Sequence, residues 1–335
     1  MEDVIILTKQ LSDGINLKNK MLSFSERWKN IPCYTKSSIV IQKDKLKKVV
    51  YIFSTWYMPL FKEAEVLEYF PNLKAIFYAA GSVKYFARPF VANGIRVFSA
   101  SSANGIAVAE YVAAQIILAN KGYYQAQRNY RFPVFKWKYN KIRRNSELHY
   151  GNFRSKVGLI GCGSVGSEVV RLLKPYDINV CVYDPYISPN KLAMLEVENI
   201  SLQEMFANCD VVSNHLPDTD ETAGKIDYKL LSLLKPTATF INTGRGRQVN
   251  EKDLCKILKK NPQMTALLDV TQHEPLWPWS PLYWRKNVFL TPHIAGSFSH
   301  EFDRMVMFML KAYEDELQGK DNFCLVNVEN LNKQA

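Results

Sequence analysis

The apolar run Val157-Gly158-Leu159-Ile160 leads directly into Gly161-Cys162-Gly163-Ser164-Val165-Gly166, and a second apolar run, Asn179 to Tyr183, ends at Asp184. This order of strand, glycine turn, helix, strand and acid constrains the chain more than any other feature, because it is how a parallel sheet binds a dinucleotide. Glycines at 161, 163 and 166 let the backbone approach a diphosphate. The helix opening at Ser164 and Val165 offers that diphosphate free N–H groups and a positive dipole end. An acid at the place of Asp184 accepts hydrogen bonds from both hydroxyls of an adenine ribose and repels a 2′-phosphate. The spacing therefore predicts NAD, not NADP, as the cofactor.

At 335 residues the chain is long enough for about two domains. Its apolar share of 47% is ordinary for a soluble globular protein. We read no apolar stretch as long enough to span a bilayer. Met1-Glu2-Asp3 lacks the basic start of a signal peptide, so no membrane partner is expected. Cysteines 33, 162, 181, 209, 255 and 324 form no CxxC or Cys/His spacing. Buried free thiols in a reducing cytosol, a cytoplasmic location and no metal site are expected. The net charge of +11 draws much of its excess from Lys121 to Lys156, where Phe135-Lys136-Trp137-Lys138-Tyr139 interleaves bases with aromatics. No nucleic-acid motif accompanies it, so nucleic acid is set aside. A solvated surface loop whose field attracts anionic substrates is expected instead.

Two regions alternate strand and helix. In the first, Val4–Thr8, Val49–Phe53, Leu73–Tyr78 and Arg96–Ser99 read as strands, and Lys62–Phe70 as a helix stopped by Pro71-Asn72. A long apolar helix follows, from Asn104 as its cap to Tyr124. In the second region, Ser201-Leu202-Gln203-Glu204 is a capping box. Asp210–Asn214, Thr239–Asn242, Thr265–Leu268 and Val288–Leu290 read as buried strands. A last helix spans Ser299 to Leu317, and the tail after it is expected to pack back on the first region. Alternation of this kind predicts an α/β fold with doubly wound parallel sheets.

Three polar residues follow strands of the second region, at the carboxyl ends where open α/β sheets bind ligands. Arg245 follows Phe240-Ile241-Asn242-Thr243-Gly244, Glu274 follows Leu267-Leu268-Asp269-Val270, and His293 follows Phe289-Leu290-Thr291-Pro292. Together they suit reduction of a 2-oxo acid. Arginine grips the carboxylate as a planar fork. Histidine donates a proton to the carbonyl oxygen as hydride reaches its carbon. A carboxylate beside the histidine fixes its tautomer.

These residues also carry a resemblance. Asp210-Val211-Val212-Ser213-Asn214-His215-Leu216-Pro217 with Thr222, Asn242-Thr243-Gly244-Arg245-Gly246, Leu268-Asp269-Val270 to Glu274-Pro275-Leu276, Thr291-Pro292-His293-Ile294-Ala295-Gly296, and Val108-Ala109-Glu110 resemble the signatures of the D-2-hydroxyacid dehydrogenase family. The resemblance implies two doubly wound parallel-sheet domains with a cleft between them: a flavodoxin-like substrate domain of 1–102 plus 299–335, and a Rossmann NAD-binding domain of 103–298. It implies that Arg245 binds the substrate's carboxylate and 2-oxo group, that His293 is the acid/base and that Glu274 is its partner. Asp269 would hold the nicotinamide carboxamide, helped by the backbone near Thr243. The glycine turn, His215, Pro217, Thr222, Gly244 and Gly296 would border the cofactor. His215 reads equally as a structural hydrogen-bonder. Gly81-Ser82-Val83 resembles the loop whose amides hold the substrate carboxylate, although Ser82 reads equally as a turn residue. A small 2-oxo or 2-hydroxy acid, NADH and a homodimer are the implied partners.

Departures bear on the substrate. Thr271 stands where the family usually has an aromatic residue, and Trp277, Trp279, Tyr283 and Trp284 make the next loop aromatic. Trp56 follows a first-region strand at a place that can line the pocket. Rival readings are a nucleotide-sensing, corepressor-like protein on the same fold and a formate- or phosphite-type dehydrogenase. Formate chemistry needs no proton donor, and the formate branch carries glutamine where Glu274 stands. Phosphoglycerate oxidation with a regulatory domain is disfavoured by the position of the chain end.

Overall fold

Val4–Leu7 is β1 of a five-stranded parallel sheet completed by Cys33–Tyr34 (β2), Tyr51–Ser54 (β3), Ala75–Tyr78 (β4) and Arg96–Ser99 (β5), in the order β2-β1-β3-β4-β5. This computed structural model describes residues 3–130, 135–149 and 151–327. Parts of the basic segment (131–134 and 150) and of the expected C-terminal tail (328–335) lie outside the described residues. β1, β3 and β4 are buried at every position, as continuous apolar runs must be when both faces of a parallel sheet are covered. Alternation by two divides them. Ile6, Phe53, Phe77 and Phe98 join one apolar cluster, and Leu7, Ile52, Ile76 and Val97 the other. The first cluster is closed by Trp28 and by the helix Glu301–Leu317, with the Trp28 ring edge-on to Phe53 at 5.3 Å and to Tyr313 at 5.5 Å.

A second parallel sheet holds Lys156–Ile160 (β6), Asn179–Tyr183 (β7), Glu198–Asn199 (β8), Val211–Asn214 (β9), Thr239–Asn242 (β10), Thr265–Leu268 (β11) and Val288–Leu290 (β12). Its order is β12-β11-β10-β9-β6-β7-β8. Strand order reverses between β6 and β9, which opens a crevice at their carboxyl ends. The glycine turn leaves β6 there and His215 leaves β9. The chain divides into two compact units, Met1–Gly105 with Ser297–Ala335 and Ile106–Gly296, one around each sheet.

Several expectations need correction. The long helix spans Ser101–Asn120, not Asn104 to Tyr124, and a separate helix covers Tyr123–Asn129. Asn104 is therefore inside the helix and does not cap it. The Ser101 N–H donates to Ser99 Oγ at 3.1 Å, and Asn104 Oδ1 accepts from the Ser297 N–H at 2.8 Å. Contrary to the bilayer reading, this helix is long and apolar enough to cross a membrane by length and composition alone. It nevertheless gives Val108, Ala109, Val112 and Ile116 to a buried core cluster. The basic segment is not a loop throughout. Lys136–Ser146 is a helix with no buried residue, flanked by the exposed Phe135. The two-residue strands β2 and β8 carry too little pattern to be read in advance. The Ser201 cap is present, its Oγ accepting from the Glu204 N–H at 3.1 Å.

Trp28 is fully buried between a sheet face and the last helix, so truncating it leaves a cavity in the first unit. Trp28→Ala is expected to cost about 3–5 kcal/mol, read as a lower urea midpoint by circular dichroism. A loss below about 1 kcal/mol would show that the helix does not close this core.

Candidate functional site

Two close approaches shape the glycine turn. A Cβ on Gly166 would lie 2.2 Å from the Gly161 carbonyl oxygen, and one on Gly161, whose φ is +91°, would lie 2.8 Å from the His215 carbonyl oxygen. Any side chain at either place would push the helix Ser164–Leu173 off β6 or the turn off β9. A Cβ on Gly163 would meet no protein atom within 4 Å, so the backbone there is open to a diphosphate laid against it. Asp184 at the end of β7 accepts from the Cys162 N–H through Oδ2 and from the Tyr186 N–H through Oδ1, both at 2.9 Å. These bonds orient the carboxylate beside the turn and leave it further lone pairs for a diol. The arrangement fits a dinucleotide with a free ribose.

The ends of β9 and β10 are joined by a network that sequence reasoning missed. Asn214 Nδ2 donates to Asn242 Oδ1 at 2.9 Å and to Gln248 Oε1 at 2.7 Å. Gln248 Nε2 donates to the carbonyls of Leu216 and Pro217 at 2.9 and 2.8 Å, and its Oε1 also accepts from the Arg245 N–H at 2.9 Å. All three amides are buried and their bonds are mutually satisfied, so the loops after the two strands are locked together. Pro217 and Thr222 are similarly joined. The Thr222 hydroxyl donates to the Pro217 carbonyl at 2.7 Å, which closes that loop. His215 Nδ1 lies 3.3 Å from Thr243 Oγ1, while its buried Nε2 has no partner among the described residues. Burial lowers the His215 pKa to about 4, so the ring is neutral near neutral pH.

Arg245 begins the loop after β10, and its Nη1 donates to the Gly244 carbonyl at 2.7 Å. A Cβ on Gly246 would lie 1.9 Å from the carbonyl carbon of Thr271, so only glycine lets this loop touch the one carrying Glu274. Thr271, where an aromatic was expected, shapes that second loop. Its Oγ1 donates to the His273 carbonyl at 2.7 Å, and its N–H reaches Glu274 Oε1 at 3.4 Å. Glu274 Oε2 accepts from His293 Nδ1 at 2.8 Å, both side chains being half exposed. That bond keeps the proton of a neutral ring on Nδ1 and leaves Nε2 for exchange with a ligand.

Asp269 is the anchor of the pair. Its Oδ1 accepts from Thr291 Oγ1 at 2.6 Å and the Ile294 N–H at 2.8 Å, and its Oδ2 from the Ala295 N–H at 2.9 Å. Tyr111 of the long helix meets Thr291 Oγ1 at 3.0 Å. The loop so held keeps His293 at a left-handed φ of +55°, a conformation that persists only where its surroundings over-determine it. Gly296 ends this loop.

The expected first-unit residues lie at carboxyl ends of their own sheet. Trp56 follows β3, and its ring lies 5.3 Å from that of Phe302. Gly81-Ser82-Val83 follows β4. The Gly81 carbonyl accepts from Ser99 Oγ at 2.6 Å, Val83 is buried, and Ser82 Oγ accepts from the Lys84 N–H at 3.5 Å. Beside Glu274, a cavity of about 830 Å³ is lined by His273, Leu276, Trp277, Tyr283 and Trp284.

His215 supplies a pH test. Its folded pKa of about 4 lies below the 6.5 of a free histidine. Between those values the unfolded chain holds a proton that the folded chain does not, so stability falls as pH drops through the window. His215→Gln should flatten that loss in urea unfolding measured from pH 7 to pH 4. An unchanged slope would mean that the ring is not held neutral by burial.

A sequence profile for the D-isomer specific 2-hydroxyacid dehydrogenase NAD binding domain matches residues 113–295. D-3-phosphoglycerate dehydrogenase of Mycobacterium leprae is 32% identical over 268 residues, which are 80% of this chain and 49% of that protein. Glyoxylate reductase of Korarchaeum cryptofilum is 32% identical over 240 residues, 71% of each. The chain thus spans about half the length of the phosphoglycerate dehydrogenases it matches. In fold it is similar to D-mandelate dehydrogenase of Rhodotorula graminis, with a TM-score of 0.77 at 18% identity over 98% of both chains. Glycine turn, the acid at the end of β7 and profile agree: the chain belongs to the D-isomer specific 2-hydroxyacid dehydrogenase family, and its second unit is that family's NAD-binding domain.

Proposed function

We propose that the protein is an NAD-dependent reductase of small 2-oxo acids that yields the D-2-hydroxy acid. The observation that carries this reading is the 2.8 Å bond between Glu274 and His293 Nδ1, on a loop tied down by Asp269. NADH, when bound, supplies the hydride that reduces the 2-oxo carbon. His293 donates the accompanying proton from Nε2 to the carbonyl oxygen. Glu274 stabilises the positive ring before that transfer and holds its orientation afterwards. Arg245 grips the substrate carboxylate and polarises the 2-oxo oxygen.

Asp269, with the backbone near Thr243, accepts the nicotinamide carboxamide through the lone pair that its three protein bonds leave. Asp184 takes the ribose hydroxyls and disfavours a 2′-phosphate. In the first unit, the Gly81-Ser82-Val83 turn offers backbone amides to a carboxylate, and no hydrogen bond among the described residues has its donor in those three amides. Trp56 is that unit's further proposed substrate contact. The reading makes the protein cytoplasmic and homodimeric, and the exposed Phe135 and Trp137 are consistent with a subunit contact.

The test is NADH oxidation against glyoxylate, hydroxypyruvate, pyruvate and longer 2-oxo acids, with NADPH as control. At least one acid should be reduced, faster with NADH. Arg245→Ala should lower kcat/KM by on the order of a hundredfold or more with the fold retained. Turnover of none of the acids, or near-normal turnover by the variant, would refute the assignment.

A further inference from the structure

Two cysteines that the proposed chemistry does not use lie side by side beneath the nucleotide-binding strands. Cys181 is in β7, and Cys209 ends the helix Leu202–Asn208 that leads into β9. Their Sγ atoms are 3.5 Å apart. β6 runs between β7 and β9, and an ordinary side chain on β6 would separate the two thiols. Gly158 of β6 pairs in register with Cys181. A Cβ on it would lie 2.3 Å from Met205 Cγ and 3.1 Å from Cys209 Sγ. The missing side chain is what brings the sulfurs together, against a flexible methionine that can yield.

The two thiols are not equivalent. Cys209 is 1% exposed, whereas Cys181 is only partly buried. The hydrogen bond between the two sulfurs makes Cys181 easier to ionise, and that same bond together with burial makes Cys209 harder. Lys156 also favours the Cys181 thiolate, against Glu204 and Glu198. Burial raises Cys181 as well, but less than that hydrogen bond lowers it, whereas at Cys33, Cys162, Cys255 and Cys324 burial is the largest influence and pushes the thiol up. Cys181 is thus the more exposed residue and the one whose thiolate its neighbour favours, and a second thiol lies against it.

We propose that Cys181 and Cys209 form a redox modification site that hydrogen peroxide oxidises to a disulfide. The Cys181 thiolate attacks one peroxide oxygen. The O–O bond breaks, an S–O bond forms, and the departing hydroxide takes a proton to leave as water. Cys209 then attacks the Cys181 sulfur. The S–S bond forms, the S–O bond breaks, and the second hydroxide leaves as water with the Cys209 proton. Two thiols lose two electrons in all, and one peroxide becomes two waters. Closing from 3.5 Å to the ~2.05 Å of a disulfide is a side-chain movement of about 1.5 Å. Such bonds in reducing compartments are transient and sensing in kind.

The full-length reduced protein, freed of reductant and treated with hydrogen peroxide near equivalence, tests the site. Titration of thiols after denaturation should fall from six by two. Unreduced peptide mapping should show the Cys181 and Cys209 peptides linked, and dithiothreitol should reverse both changes. Cys209→Ser should instead accumulate a dimedone-trappable sulfenic acid at Cys181, and Cys181→Ser should lose no thiol. Six thiols retained, a disulfide between other cysteines, or equal oxidation of Cys181→Ser would overturn the proposal. Mapping of the wild-type chain decides the matter even if a variant fails to fold.

Discussion

The carboxylate of Asp269 is 3% exposed at the end of β11, and a buried charge persists only when its lone pairs are taken up. Here three are taken up, by the Thr291 hydroxyl and by two successive backbone amides, Ile294 and Ala295. That requirement ties the ends of β11 and β12 together and bends the chain so that His293 adopts a left-handed conformation. The histidine in turn meets Glu274, whose loop also begins at the end of β11. One buried acid thereby sets the geometry of the Glu274–His293 pair, although it lies behind it.

The cofactor side is held by the same principle with neutral groups. Asn214, Asn242 and Gln248 exchange bonds with one another and with the carbonyls of Leu216 and Pro217. Arg245 hangs from this network through its own N–H. Two glycine contacts complete the arrangement. Gly161 rests on the His215 carbonyl, and Gly246 rests on Thr271. Nucleotide turn, arginine loop and glutamate loop therefore form one continuous packed surface along the carboxyl ends of β6, β9, β10 and β11.

Much of this was legible in the sequence, for identifiable reasons. Buried parallel strands are apolar runs, so β1, β3, β6, β9, β10 and β11 stand out. The loops after β10 and β11 carry Arg245 and Glu274; His293 follows β12, an apolar run read as buried that is only partly buried at all three positions. The buried network was not legible. Gln248 bonds to Leu216 across 32 positions, and no local pattern marks such a partner. Asn104 was misread because a polar residue before an apolar helix looks like a cap, while here Ser99 serves that end and Asn104 serves Ser297. Asp269 was read only as a cofactor contact, because its three protein bonds arise from the bend of a loop that sequence does not describe. The thiol pair needed Gly158, which looked like an ordinary strand residue.

The claim at the centre of this account is that hydride and proton arrive together on the 2-oxo group of a small acid bound in this site. It is tested most directly by following the label from NADH that carries deuterium at C4 during reduction of whichever 2-oxo acid the protein accepts. The account predicts that deuterium appears at C2 of the product and that the product is the D enantiomer. Deuterium released to water, or an L product, would contradict it.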